Sequence, residues 1–284
     1  MSATLLDQKP DTSRVRSAVD LVPLGDGGPL ICRLGIGTGS EGGEVQRGLG
    51  ADGFNWLIRH AYDRGITFID TADQYRTHTL VRDAIKGLLR ERLWIQTKMM
   101  WDAPAPPDRP LDVLDRFLLE LGTDYVDSLL IHCVTAADWP ETLRPMMDAI
   151  SAARALGRVR LVGVSCHGLP ALRSAVTCRW IDVQLARVNP IGRHVDGASG
   201  AWDEPGMVPE AMREIEAARR TGRGLIAMKL IGGGHFTDSA DRERAMRYAL
   251  ACGFVDSMVV AFKSGAEIDE TLGRIDRILA EQPS

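Results

Sequence analysis

One feature constrains this chain more than any other: an alternation, repeated eight times, of a short β-forming apolar run and a longer stretch of helical period. The short runs are Leu34–Gly37, Thr67–Asp70, Leu93–Thr97, Ser128–His132, Leu161–Ser165, Asp182–Ala186, Leu225–Lys229 and Ser257–Phe262. Helical segments are read near 53–64, 77–89, 110–121, 141–156, 168–178, 208–220, 240–251 and 266–280. In the third of these, Val113, Phe117, Leu118 and Leu121 fall on one face, with Asp112, Asp115, Arg116 and Glu120 largely off it. Runs such as Ser128-Leu-Leu-Ile131, apolar without interruption, suit a parallel sheet buried on both faces.

Eight such units predict an α/β fold: a single closed (β/α)8 TIM barrel. The competing arrangement is an open doubly wound sheet, which would carry a glycine-rich phosphate loop running directly into a helix after its first strand. Here Leu34-Gly-Ile-Gly-Thr-Gly-Ser40 is followed by a polar stretch, so that fingerprint is weak. Upstream, Val19–Gly25 and Gly28–Arg33 flank Asp26-Gly-Gly, a hairpin expected to cap the bottom of the barrel. Residues 1–18 are polar and patternless and read as a flexible tail, leaving 19–284 as the barrel. Barrels of roughly 250 residues commonly form one domain, which fits a chain of 284.

Charge narrows the partners. The formal net charge is −4 with both signs interspersed, so no basic stripe for nucleic acid and no polybasic membrane anchor is expected. No stretch approaches the ~20 apolar residues of a membrane helix, and Met1–Asp20 lacks a signal-peptide core. Five scattered cysteines without a CxxC pair read as reduced thiols, which makes the cytoplasm the expected location. His167, His194 and His235 share no metal-ligand spacing, so no metal is expected. Oligomeric state has no signature here.

In a barrel, chemistry sits just past the C-terminal ends of the strands. Asp70 and Tyr75 follow the second strand, Lys98 the third, His132 the fourth and Ser165 the fifth. Only five of the 34 basic residues are lysines, and three of them (Lys98, Lys229, Lys263) lie at strand ends. A chain that otherwise prefers arginine keeps lysine where a compact, titratable charge is useful.

These residues carry a resemblance. Gly65-Ile-Thr-Phe-Ile-Asp-Thr-Ala-Asp-Gln-Tyr75, Ile95-Gln-Thr-Lys98, Tyr125-Val-Asp-Ser-Leu-Leu-Ile-His132, Val162-Gly-Val-Ser165, Met228-Lys-Leu-Ile-Gly-Gly-Gly234 and Phe262-Lys-Ser264 follow in the order of the aldo-keto reductases. The chain resembles that family from about Val19 to Leu279. The resemblance implies a catalytic tetrad of Asp70, Tyr75, Lys98 and His132. It also implies a small carbonyl or alcohol as substrate and an NADP(H) cofactor, with room for NAD(H). Tyr75 would act as general acid/base, Lys98 would pull its pKa down, Asp70 would hold the ammonium, and His132 would orient the substrate oxygen.

For the cofactor, the resemblance implies contacts from Gly37, Thr38, Asp70, Ser165, Gln184, Met228, Lys229, Gly232, Lys263 and Ser264. Three positions depart from the family pattern: Cys166 replaces an asparagine, Met228 a stacking aromatic, and acidic Glu267 lies near the place of a clamp arginine. Trp101, Trp139 and Trp202, in strand-end loops, are the expected apolar wall of the substrate pocket. A second reading of the same resemblance is a nicotinamide-binding sensor with little turnover. A metal-dependent barrel hydrolase lacks the ligands.

Overall fold

All eight apolar runs are strands, hydrogen-bonded in parallel around a closed ring. The computed structural model describes residues 16–101 and 109–282. A hairpin of β1 (Leu21–Pro23) and β2 (Leu30–Cys32) comes first, then β3 (Leu34–Gly37), β4 (Phe68–Asp70), β5 (Trp94–Met100), β6 (Val126–Val134), β7 (Val159–Cys166), β8 (Val183–Arg187), β9 (Gly224–Met228) and β10 (Ser257–Ala261). The ring runs β3 to β10 in chain order and closes by β10 pairing in parallel with β3. The helices are α1 (Glu44–Arg47), α2 (Gly50–Asp63), α3 (His78–Ile85), α4 (Pro110–Leu121), α5 (Trp139–Thr142), α6 (Arg144–Ala155), α7 (Leu169–Thr177), α8 (Val208–Arg219), α9 (Ser239–Ala251) and α10 (Gly265–Glu281).

The strands divide two cores by their period of two. Outward residues such as Ile95, Leu129, Val162 and Leu225 pack against Phe54, Phe117, Ile150 and Ile275 of the helices. Inward residues Phe68, Trp94, Leu130, Val183, Leu185, Ile226 and Val259 fill the lower barrel together with Leu24, Ile31 and Cys32 of the hairpin. The hairpin thus closes the N-terminal mouth, and only the opposite end is left for chemistry. Close approach at the plugged end requires glycine: a Cβ on Gly224 would meet the Leu24 side chain at 2.4 Å.

Local readings differ in places, each for a physical reason. Residues 1–15, most of the predicted tail, lie outside the described residues. Arg16, Ser17 and Ala18 do not behave as tail: Asp276 of α10 accepts from the Ser17 hydroxyl (3.0 Å) and the Ala18 amide (2.7 Å), and Ala18 is buried. The segment read as one helix over 141–156 is two, broken at Leu143, because Pro145 cannot donate into a continuous ladder. The segment over 77–89 stops at Ile85, with Gly87 in the left-handed region at φ 84°. On α4 the buried stripe is Leu114, Phe117, Leu118 and Leu121, with Val113 on its half-buried flank. The proline run Ala103–Pro107 lies outside the described residues.

Candidate active site

Extending the inward face of each strand upward changes its chemistry. On β4, Phe68 is succeeded by Asp70; on β5, Trp94 by Gln96 and Lys98; on β6, Ser128 and Leu130 by His132; on β7, Leu161 by Ser165; on β8, Val183 and Leu185 by Arg187. Apolar residues close the bottom and ionisable ones crown the top, so the four predicted catalytic residues meet.

Lys98 is fully buried, and its ammonium donates to Asp70 Oδ1 at 2.6 Å and to the Thr71 carbonyl at 2.8 Å. A hydrogen-bonded chain rises from the core to support this pair. Trp94 Nε1 donates to Ser128 Oγ (3.1 Å), Ser128 Oγ to Gln96 Oε1 (2.9 Å), and Gln96 Nε2 to the same Asp70 oxygen (2.8 Å). Tyr75 sits in a short 3-10 turn, Asp73–Tyr75, and its ring lies 5.0 Å from the Lys98 nitrogen and edge-on to His132 at 5.6 Å. Gly39 makes room for that ring: a Cβ there would fall 2.4 Å from Tyr75 Cε2 and Cζ. His132 keeps the inward parity of Ser128 and Leu130, and around it β6 loses register with β7 between Ile131 and Val134, with Cys133 at φ 57°.

Burial sets the protonation states. Desolvation, followed by the Asp70 charge, pushes the Tyr75 phenol well above its ordinary 10.0. The net direction is upward, where the resemblance implies a lowering by Lys98; that ammonium donates to Asp70 Oδ1 and lies 5.0 Å from the centre of the tyrosine ring. Desolvation, then Lys98, His167 and Lys229, hold His132 well below 6.5, so the imidazole is neutral at pH 7. His132 Nδ1 is buried without a hydrogen-bond partner.

The residues assigned to the cofactor scatter more. Ser165 is inward and buried, with Oγ 3.3 Å from His167 Nε2. Met228 and Lys229 are half-buried at the top of β9, and Gly232 begins the positive-φ turn Gly232–Gly234. Gly37 faces Val259, and the Thr38 hydroxyl is engaged by the Asp70 carbonyl and Thr77 beneath the site. Lys263 and Ser264 are exposed at the start of α10, where the Glu267 carboxylate accepts from the Lys263 amide at 2.7 Å and Ser264 Oγ caps the Glu267 amide.

Two assignments are corrected. Gln184 points out of the barrel, between Cys166 Sγ (3.6 Å) and Arg223 Nη1 (3.3 Å), because Val183, Leu185 and Arg187 hold the inward parity of β8. Trp139 is no pocket wall. It is 1% exposed in α5, donates to the Ala171 carbonyl and packs in the outer core. Trp101 donates to the Cys133 carbonyl at 3.1 Å beside the site, and Trp202 stacks on His194 at 3.9 Å above it. The sequence reading also missed Gln96, Gly39, Arg187 and Asp196. For Gln96 and Arg187 a signal existed: each continues the alternating inward face of its strand.

Among the described residues, no group of three or more His, Cys, Asp or Glu is placed to hold a metal, and no helix is long and apolar enough to cross a membrane.

Comparison with known proteins is consistent with this geometry. An aldo-keto reductase of Bacillus halodurans, in its holo form, superposes with a TM-score of 0.70 over 93% of this chain and 95% of its own, at 15% identity. An aldo/keto reductase from Brucella melitensis gives 0.67 over 94% and 99%, at 20% identity. In sequence, the chain is 30% identical over 161 residues to the aldo-keto reductase YhdN of Bacillus subtilis, covering 52% of this chain and 47% of that one. It is 31% identical over 127 residues to the methylglyoxal reductase DkgB of Salmonella typhi, covering 44% and 47%. The matched region thus spans about half the length of these curated relatives. A model of the aldo/keto reductase family matches residues 33–278, and the chain belongs to that family.

Proposed function

We propose that this protein reduces a small aldehyde or ketone to an alcohol, reversibly, with a nicotinamide cofactor and Tyr75 as proton donor. The observation that carries the reading is the convergence of Asp70, Lys98, Tyr75 and His132 at the one open end of the barrel. The mouth also fits a bound polar group by its own chemistry: a buried nitrogen of His132 lacks a partner, a costly state that an incoming oxygen relieves.

Bound nicotinamide would supply the hydride. Ser165 and Met228 on the inner rim, with Gly37, Thr38 and Gly232 near the mouth and Lys263 and Ser264 at the head of α10, are the residues to hold the cofactor; its NADP(H) form is the one that uses Lys263. The chain itself supplies a proton and a fixed dipole. Tyr75, kept as a neutral phenol by burial and by Asp70, gives its proton to the oxygen that becomes the alcohol. Neutral His132 holds that oxygen in place without competing for the proton. Asp70 and Gln96 anchor Lys98 beneath the tyrosine ring, so the ammonium offers its field without wandering.

Fluorescence titration with NADPH and NADH, followed by turnover of a carbonyl panel by wild type and Tyr75→Phe, tests the reading. Binding of at least one cofactor and a loss of about 10²–10⁴ in turnover for the phenylalanine variant are expected. Wild-type turnover by Tyr75→Phe would refute the role of the phenol. Tight cofactor binding with no turnover of any carbonyl would favour a sensor.

A further inference from the structure

The crown of the barrel holds more positive charge than the tetrad needs. Arg187, the third inward residue of β8 after Val183 and Leu185, is 4% exposed. Its only carboxylate among the described residues is Asp196, reached from Nη1 at 3.4 Å. That same Asp196 oxygen is shared with the Gly168 amide at 3.0 Å and with His167 Nδ1 at 3.5 Å. A well-made guanidinium–carboxylate pair is bidentate and closer to ~2.8 Å. Here Arg187 Nε and Asp196 Oδ2 are both buried without a partner.

Lys229 enters the same space from β9 on left-handed backbone, φ 58°. Its ammonium lies 4.7 Å from the centroid of the Trp202 ring, and the Arg187 guanidinium lies 5.5 Å from the same centroid. Among the described residues no carboxylate pairs with Lys229. Burial and the neighbouring Arg187 lower its pKa to about 8, and it senses Cys133, Lys98 and Asp70, the surroundings of the tetrad. Lys98, Arg187 and Lys229 therefore face two carboxylates, Asp70 and Asp196, with one positive charge left uncompensated under an aromatic cover.

From this geometry we infer that Arg187 and Lys229, roofed by Trp202, form a subsite for the carboxylate of the substrate, so that the preferred carbonyl compounds are oxo acids and aldehyde acids. The inference rests on the reductase reading for the carbonyl, and on the cation pair alone for the carboxylate. It moves Lys229 from the cofactor, where the resemblance put it, to the substrate. Trp202 then serves as a cover over two cations that water would otherwise hydrate.

The test pairs free acids with uncharged counterparts. For turnover, 4-formylbenzoate is compared with its methyl ester, and succinic semialdehyde with its methyl ester. For binding, 4-methylbenzoate is compared with 4-methylbenzamide by calorimetry, with and without saturating NADPH. Wild type is expected to favour each acid by about tenfold or more in kcat/KM and in affinity, as one desolvated charge pair provides. Arg187→Met and Lys229→Met should each collapse that ratio toward one. The ratio is internal to each variant, so a general loss of activity or of folded fraction does not imitate the effect. Arg187→Lys should restore part of it.

An acid preference that survives the double replacement R187M/K229M would assign the anion to Tyr75 and His132 and overturn the proposal. So would equal or absent binding of acid and amide in wild type. Competition between 4-methylbenzoate and NADPH would give the cations to the cofactor phosphates, again overturning it. Acid-selective binding that requires Arg187, without turnover of any carbonyl, would leave the subsite standing and sink only the reductase reading.

Discussion

Replacing Lys98 by methionine should unfold the site from beneath. The side chain is fully buried, and Asp70, paired to it at 2.6 Å, is 7% exposed at its side chain. Methionine keeps most of the volume but removes the ammonium, leaving a carboxylate in the barrel with Gln96 as its remaining side-chain donor. Breaking one side of a buried pair costs about 3–5 kcal/mol, because the survivor stays desolvated and unpaired. For a domain of this size that corresponds to a fall in melting temperature of roughly 10 °C. Asp70→Asn in the same background removes the stranded charge while keeping the oxygen that Gln96 Nε2 bonds, so K98M/D70N should recover about 2 kcal/mol of the loss. Urea denaturation followed by circular dichroism on wild type, both single variants and the double variant closes the cycle. A double variant no more stable than Lys98→Met would refute the argument, since the penalty would then come from lost packing and not from a stranded carboxylate.

The pH profile of carbonyl reduction should be broad. The raised Tyr75 phenol keeps its proton above 10.0 and the depressed His132 stays neutral down to below 6.5, so kcat should decline only outside those two values; an alkaline limb below 10.0 would contradict the burial argument. Alcohol oxidation, which needs the phenolate, should instead rise with pH throughout. Gly39→Ala is a clean displacement of Tyr75, because φ at Gly39 is −115° and suits alanine while the new Cβ would strike the ring. It should lower kcat by at least about tenfold with cofactor affinity intact, and unchanged kcat would mean the ring position is immaterial. Glu267→Gln removes a negative charge from beside Lys263 and Ser264, and should raise the affinity for NADPH relative to NADH by about three- to fivefold in fluorescence titration.

How much of this was legible before the structure follows from what a linear pattern encodes. The eight strands read clearly because they are buried on both faces, which leaves short runs rich in apolar β-formers without the polar stripe of a solvent-facing helix. That same double burial hides which of the two alternating sets points inward. Gln184 and Leu185 are equally buried, and only the packed barrel shows that Val183, Leu185 and with them Arg187 form the inward set while Gln184 faces the helices. Trp139 misled for a related reason: a tryptophan past a strand end reads as pocket wall until the short helix α5, which it opens, is seen to set it against α7. The tetrad was legible because its residue types are rare together. Its electrostatics were not, since the upward shift of Tyr75 comes first from burial and then from the Asp70 charge, and neither burial nor proximity is written in a linear pattern.

That upward shift bears on direction. A tyrosine beside a free ammonium would titrate low and serve proton transfer both ways. Here Asp70 absorbs the ammonium, and Gln96, Ser128 and Trp94 hold Asp70 in place through a chain anchored in the barrel floor. The chain fixes the carboxylate at the point where it adds to burial in raising the phenol, so on the proposed reading Tyr75 would hold its proton for the oxygen that becomes the alcohol. The positive charge withheld from Tyr75 is made up on the far side of the mouth by Arg187 and Lys229. One half of the crown thus carries the buried phenol and the other the two cations inferred to attract an anionic group. If both proposals hold, a molecule that spans the two halves would carry a carbonyl at one end and a carboxylate at the other, and the same barrel parity would tie the protonation of Tyr75 to the choice of substrate.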